Sequence, residues 1–200
     1  MKIGAVVLAA GGSARLGRPK QLLYYGGQSF VRRAARAALE AGCAPVAVVV
    51  GPDRDKIAPE LRDLAVIILP NESWRRGMGT SIRAGVEALK DCDGLLILGC
   101  DQPRVDSTLI RQLVARQEET QKPMVASAYA GTRGVPAVFG RSCFAELLSL
   151  GDKQGAKVLL VARPHDVATV DFPGGAMDID TPGDWERLAS HPDLAAQPRP

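Results

Sequence analysis

Ile3-Gly4-Ala5-Val6-Val7-Leu8-Ala9-Ala10-Gly11-Gly12-Ser13-Ala14-Arg15-Leu16-Gly17-Arg18-Pro19-Lys20 runs from an apolar stretch straight into a glycine-rich loop carrying Arg15, Arg18 and Lys20. The apolar stretch is continuous rather than alternating. That suits a strand buried on both faces, as in parallel sheets covered by helices. Working outward, Val46–Val50, Val66–Leu69, Leu95–Leu98, Val125–Tyr129 and Val167–Val170 repeat the character of Ile3–Leu8 and read as further strands. Between them, residues 30–41, 55–61, 80–89, 108–119, 143–148 and 182–189 carry apolar positions at helical spacing. Alternation of this kind predicts the α/β class: a single Rossmann-like three-layer domain with a mostly parallel central sheet. Ser29 and Asp106 are expected N-caps, and Thr181 is another, with Pro182 in the first helical turn and Asp184 near the positive end of the helix. Gly42 stands where a helix-terminating glycine belongs.

The chain has 200 residues, 46% of them hydrophobic and 24% charged, as expected for one globular domain. That domain is placed at residues 1–190. Residues 191–200 hold three prolines and no apolar periodicity and are read as a flexible tail. The apolar runs are strand-length, so no membrane partner is expected, and the N-terminus reads as a first strand rather than a signal peptide. A net charge of +3 is too small an excess to mark a nucleic-acid surface. Cys43, Cys92, Cys100 and Cys143 are scattered, with no CxxC pair and only two histidines to join them, so spacing builds no zinc site. Buried free thiols in a cytoplasmic protein are expected.

The segments that break the regular pattern are 9–20, 71–80, 99–104, 131–136 and 177–180. Ligands of open parallel sheets bind beyond the carboxyl ends of the strands, so these segments are expected to converge. Small residues in the first loop let backbone N–H groups approach an anion, with Arg15 and Lys20 adding fixed positive charge. The loop matches neither GxGxxG nor the Walker pattern. Asp101, in Gly99-Cys100-Asp101-Gln102-Pro103, ends an apolar strand. It reads either as an Asx turn or as a ligand for Mg²⁺, an ion usually held by one or two carboxylates together with substrate phosphates. Asp178-Ile179-Asp180 puts two acids on one face of an extended segment, where Asp180 could supply a second carboxylate or cap the next helix. Gly79, Thr80 and Ser81 open a helix and could meet a nucleotide or merely cap it, and Trp74 reads as a lid or a surface residue.

Taken together, L-A-A-G-G-S-A-R-L-G-R-P-K from Leu8, W-x-x-G-M-G-T-S-I from Trp74, G-C-D-Q-P from Gly99, G-V-P-A-V-F from Gly134, G-D-K-Q-G-A-K from Gly151 and D-I-D-T-P-G-D-W from Asp178 resemble the nucleotidyltransferase family of molybdenum cofactor synthesis. Its cytidylyl-transferring members are the nearest likeness, and the resemblance runs from Ile3 to about Leu188. It implies a Mg²⁺-dependent enzyme that moves a nucleotidyl group, CMP from CTP above all, onto the phosphate of a molybdopterin-type cofactor and releases pyrophosphate. A molybdoenzyme or its chaperone is the implied recipient. Arg15, Lys20 and Asp101 map onto catalytic positions. Leu8, Ala9, Ala10, Gly11, Gly12, Arg15, Lys20, Gly79, Ser81 and Asp101 map onto the nucleotide site, and Asp101 with Asp180 onto the metal. Ala10 stands where guanylyl-transferring members resemble L-A-G-G. Three departures are Cys100 before Asp101, Gln154 as an extra residue in the G-D-K-G-A segment associated with the acceptor, and Gly183 in place of an acid. The alternatives are guanylyl or sugar-phosphate transfer on the same scaffold, a non-catalytic nucleotide-binding regulatory domain, or a redox Rossmann enzyme, which would need an acid at the end of its second strand.

Overall fold

The computed structural model describes residues 1–190, and the expected tail at 191–200 lies outside the described residues. The first strand, β1 (Ile3–Ala9), is followed by a two-stranded ribbon, β2 (Tyr24–Tyr25) and β3 (Gln28–Ser29), and then by α1 (Phe30–Glu40). Next come β4 (Val46–Val50), α2 (Arg54–Leu61), β5 (Val66–Pro70), α3 (Met78–Ala88), β6 (Gly94–Gly99) and α4 (Ser107–Thr120). The chain continues through β7 (Met124–Tyr129), β8 (Thr132–Gly140), α5 (Phe144–Leu148), α6 (Lys157–Ala162), β9 (Val167–Asp171) and α7 (Pro182–Ala189). Seven strands form the main sheet in the order β5-β4-β1-β6-β8-β7-β9. Its pairings are parallel except those of β8, which runs against both β6 and β7.

The expected strands and the mostly parallel sheet are present, with one correction. Of residues 131–136, expected as a loop, Gly131 lies in the turn and the other five open β8. Gly134 and Pro136 punctuate the run in a way that reads as irregular chain, because Pro lacks the ladder N–H and Gly packs nothing. A tight turn at Ala130 (φ 46°) and Gly131 (φ 71°) folds β8 back on β7, as a two-residue hairpin with left-handed central residues requires. The register slips between Ala126 and Ser127, where the Ser127 hydroxyl donates to the Pro136 carbonyl at 2.8 Å. Helix α6, which follows the G-D-K-Q-G-A motif, was also not expected.

Alternate side chains of β1 enter opposite layers. Ala5 and Val7 face a core with Val31, Ile57, Leu61, Ile110 and Leu113, from α1, α2 and α4. Val6 faces the other, with Ile82, Val86, Phe144, Leu147, Leu159 and Leu160, from α3, α5 and α6. Full burial of one such side chain contributes about 1.5–3 kcal/mol, so the two layers hold the sheet's carboxyl edge firmly. A third, small cluster of Leu16, Leu23, Phe30, Ile179 and Leu188 lies apart from both. It ties the loop after β1 to the segment before α7, and Trp185 packs edge-on to Phe30 with ring centroids 6.2 Å apart.

Candidate active site

Beyond β1, Ser13 (φ 50°) and Gly17 (φ 74°) bend the glycine-rich loop, with the Leu16 and Gly17 amides donating to the Ser13 carbonyl. The Ser13 hydroxyl accepts from the Lys20 amide at 2.9 Å, and Pro19 leads into a short 3-10 turn over Lys20–Leu22. Buried Gln21 donates to the carbonyls of Ala9 (3.0 Å) and Gly11 (2.6 Å). These bonds leave the loop one shape, and nothing in the local pattern marked Gln21 as its keystone.

The turn aims Lys20 inward. Its ammonium donates to Asp101 Oδ2 at 2.6 Å and Asp180 Oδ1 at 2.9 Å, with only 16% of the side chain exposed. Burial alone would lower its pKa, but the charge and hydrogen bond of Asp101 and the bond to Asp180 outweigh that, and the net shift is upward. Asp180 Oδ2 also receives Arg15 at 2.8 Å. Burial works to raise the Asp180 pKa, yet Lys20 and Arg15 together hold it below the ordinary carboxylate value. The Ile179 amide donates to the Asp101 carbonyl at 3.0 Å, a backbone link that brings the D-I-D segment beside the end of β6.

The Asp180 carboxylate does not cap the next helix. Helix α7 is capped by Thr181 and Asp184 in a reciprocal capping box, so the Asp180 carboxylate is left to the cations. The Asp101 carboxylate accepts from Lys20 across the cleft.

A cavity of about 380 Å³ opens here, within the size range of small-molecule sites. Leu8, Ala10, Gly11, Lys20, Ser81 and Asp101 line it, as does Trp74. Arg15, 72% exposed, and Asp180 reach the site through their ion pairs rather than as part of the wall. Ala9, Gly12 and Gly79 are not in the lining. The Ala9 carbonyl is taken by Gln21, Gly12 lies under the Trp74 ring, and the Gly79 amide donates to the Asp152 carbonyl at 2.8 Å. Thr80 is internal too, its hydroxyl donating to the Gly77 carbonyl at 2.7 Å and accepting from Asn71, which also bonds Ser81.

On the far side the lining includes Gln102, Val135 and Asp178, which fall in segments expected to converge here but were not named as site residues, and Tyr129, which ends an expected strand. The Tyr129 side chain is held between Gly134 and Gly175, where an added Cβ would come within 2.2 Å of its hydroxyl and 2.4 Å of its ring respectively, and the hydroxyl donates to the Val135 carbonyl at 3.1 Å. Burial, followed by the charge of Asp101, raises the pKa of Asp178. Tyr129, the single aromatic residue of β7, followed by the turn glycine Gly131 and the G-V-P-A-V-F run, is the signal that could have located this wall.

Among the described residues no group of three His, Cys, Asp or Glu side chains forms a ready metal cage. Instead, Asp101 and Asp180 converge on one cation, the Lys20 ammonium. Two carboxylates meeting at one positive charge beside a glycine-rich loop fit a hard divalent ion, a kind usually held by one or two carboxylates together with substrate phosphates.

A sheet of this order, a glycine-rich loop at the end of β1 and facing carboxylates at the end of β6 define an α/β protein of the nucleotidyltransferase kind. Residues 5–167 match the MobA-like NTP transferase domain, and the chain belongs to that family. It is 32% identical to nicotine blue oxidoreductase of Paenarthrobacter nicotinovorans, over 93% of this chain and 96% of that protein. It is 27% identical to the purine catabolism protein PucB of Bacillus subtilis, over 92% and 94%. Among solved structures, Rv0371c of Mycobacterium tuberculosis superposes with a TM-score of 0.83 at 26% identity, covering 96% of this chain and 99% of that one. The same protein in complex with manganese gives 0.76 at 25% identity, covering 98% and 100%. The chain is thus a MobA-like nucleotidyltransferase, with a nucleoside triphosphate as its substrate class. No described helix is long and apolar enough to cross a membrane.

Proposed function

We propose that this protein transfers the cytidylyl group of CTP to the phosphate of a molybdopterin-type acceptor, releasing pyrophosphate, with Mg²⁺ as its metal. The observation that carries the reading is the convergence of Lys20, Arg15, Asp101 and Asp180 at the mouth of the β1 loop.

In such a transfer an acceptor phosphate oxygen bonds to the α-phosphorus while the bond from that phosphorus to the bridging oxygen breaks. The electron pair leaves with pyrophosphate. The acceptor is already an anion and needs no general base, which agrees with a cavity that has no histidine among the described residues of its lining. The barrier lies in bringing two anions together and in the charge that builds on the leaving group. Lys20 exchanges its carboxylate partners for triphosphate oxygens, and exposed Arg15 closes over the same group. Asp101 and Asp180 would hold Mg²⁺, which when bound neutralises phosphate charge as a Lewis acid. Backbone amides around Gly11 stabilise the phosphates without reorganising.

Ala10 lines the cavity, and on this reading its methyl group stands beside the base and takes up room a purine would use. Exclusion of this size is worth about 1–3 kcal/mol, a preference of roughly 10- to 200-fold for CTP over GTP. The oxidoreductase name of one relative suggests another chemistry. Against it here, the first loop lacks GxGxxG, and Asp53, beyond the second parallel strand, is paired with Lys56 at 2.9 Å. Pyrophosphate release measured with Mg²⁺, a molybdopterin acceptor and each of CTP, GTP, ATP and UTP tests the proposal. CTP should lead, and Ala10→Gly should narrow its lead over GTP. Equal turnover of CTP and GTP would remove the cytidylyl assignment, and no turnover with any of the four would remove transfer to this acceptor.

A further inference from the structure

The G-D-K-Q-G-A-K segment, associated above with the acceptor, is fastened to the nucleotide side of the cavity. Asp152 Oδ1 receives Arg83 at 2.5 Å, and Oδ2 receives Arg76 at 2.8 Å. The Asp152 carbonyl accepts from the Gly79 amide at 2.8 Å, and Arg83 also donates to the Leu150 carbonyl. Helix α3 begins after Gly77, which offers no capping side chain, so the Asp152 carbonyl satisfies a first-turn amide that would otherwise be orphaned. The approach is backbone against backbone. A Cβ on Gly77 would lie 2.4 Å from the Asp152 carbonyl oxygen, and one on Gly79 would lie 2.2 Å from that of Gly151. Gln154, the extra residue, closes the segment on itself by accepting from the Gly151 amide at 2.7 Å.

We propose that Asp152 is a positioning residue for the nucleotide: its two arginine pairs and its carbonyl fix the first turn of α3, and with it the Gly77–Ser81 edge of the cavity. Gly77, Met78 and Ser81 belong to the cavity wall, while Asp152 does not, so Asp152 acts on the ligand only through them. The inference rests on the nucleotide reading of this site given above. It reassigns the segment from the acceptor to the donor, and it makes Gln154 a staple of that latch rather than a disturbance of acceptor binding.

Calorimetric titration of the full chain with CTP and with GTP, in the presence of Mg²⁺, tests it well below the melting temperature of each variant. Asp152→Ala should weaken CTP binding about tenfold, the scale expected for losing charge-assisted hydrogen bonds, and should narrow the difference between CTP and GTP. Asp152→Asn keeps a side-chain acceptor and the backbone bond, and should fall between. Arg76→Ala carries the test if Asp152→Ala does not fold, because Arg76 is 66% exposed and its loss spares the core. It should weaken CTP binding about two- to fivefold. A purely structural role would lower the melting temperature while leaving both affinities and their ratio unchanged, and that result overturns the proposal. So does a variant whose KM rises for the acceptor alone. If the unaltered protein binds none of CTP, GTP, ATP and UTP, the nucleotide reading itself is what fails.

Discussion

Lys20 holds two carboxylates together that would otherwise repel, and does so from a largely buried position. An isolated pair at the surface would contribute about 0–1 kcal/mol, whereas removing one partner of a buried cluster leaves uncompensated charge. Lys20→Met should therefore change two properties in opposite directions. Triphosphate binding and turnover should fall together, because the ammonium meets phosphate in both the ground and transition states. The nucleotide-free protein should meanwhile bind Mn²⁺ on the order of tenfold more tightly, as read by electron paramagnetic resonance, because Asp101 and Asp180 then lack their internal cation. Unchanged Mn²⁺ binding would mean that the two acids do not share a cation site. Asp101→Ala and Asp180→Ala should each lower turnover by about 10²–10³ in a folded protein, on the scale of a lost transition-state contact, and Asp178→Ala should be milder. If Asp178→Ala proves the severe one, the metal ligand lies two residues earlier in the D-I-D segment.

At the scale of elements, the loop after β1 and the cap of α7 form one unit on the third cluster. The Thr181–Asp184 capping box fixes where α7 begins, and Asp180 directly precedes it. Thr181→Ala should cost about 1 kcal/mol of stability in urea unfolding and should also weaken Mn²⁺ binding, because the residue it frees is the neighbour of Asp180. Acid should loosen the same junction. Asp180 and Asp184 are both held below the ordinary carboxylate value, Asp180 by Lys20 and Arg15 against the opposing pull of burial, and Asp184 by Thr181. A depressed folded-state pKa gives stability that is complete above the unfolded value, near 4, and is lost as pH falls through the folded one. Hydrogen-exchange protection across residues 178–185, taken relative to the intrinsic rate at each pH, should accordingly fall below about pH 4. Thr181, Pro182 and Asp184 were legible in the sequence because a capping box is local chemistry. The pairing of Lys20 with acids 81 and 160 residues away was not, because no local pattern carries a contact made by the closing of the sheet.

At the scale of the molecule, the sheet was legible wherever its strands are buried on both faces, since such strands are written as plain Val, Ile and Leu runs. Strand β8 was hidden by Gly134 and Pro136, and with it the place of Val135 opposite Tyr129 of the expected strand β7. The layers themselves leave little slack. A Cβ added at Gly85 in α3 would come within 2.3 Å of a methyl of Val6, itself fixed in the middle of the sheet. Gly85→Ala gains about 1 kcal/mol in helix propensity, but overpacking of a close contact costs about 1–3 kcal/mol. The variant should be the less stable in urea unfolding, and a more stable one would mean that α3 can rise off β1 freely.

The reversed strand also divides the labour of the site. Leu8, Ala10 and Asp101 stand on or just beyond β1 and β6, central strands whose shape every neighbouring layer constrains. Tyr129 and Val135 come instead from a hairpin whose turn, Ala130-Gly131, points away from the sheet's interior. Residues can be added to or taken from such a turn while the register behind it stays whole. One side of the cleft is therefore built into the centre of the sheet, while the other stands on a hairpin whose turn can change in length, so the two walls differ in how much alteration the fold can absorb.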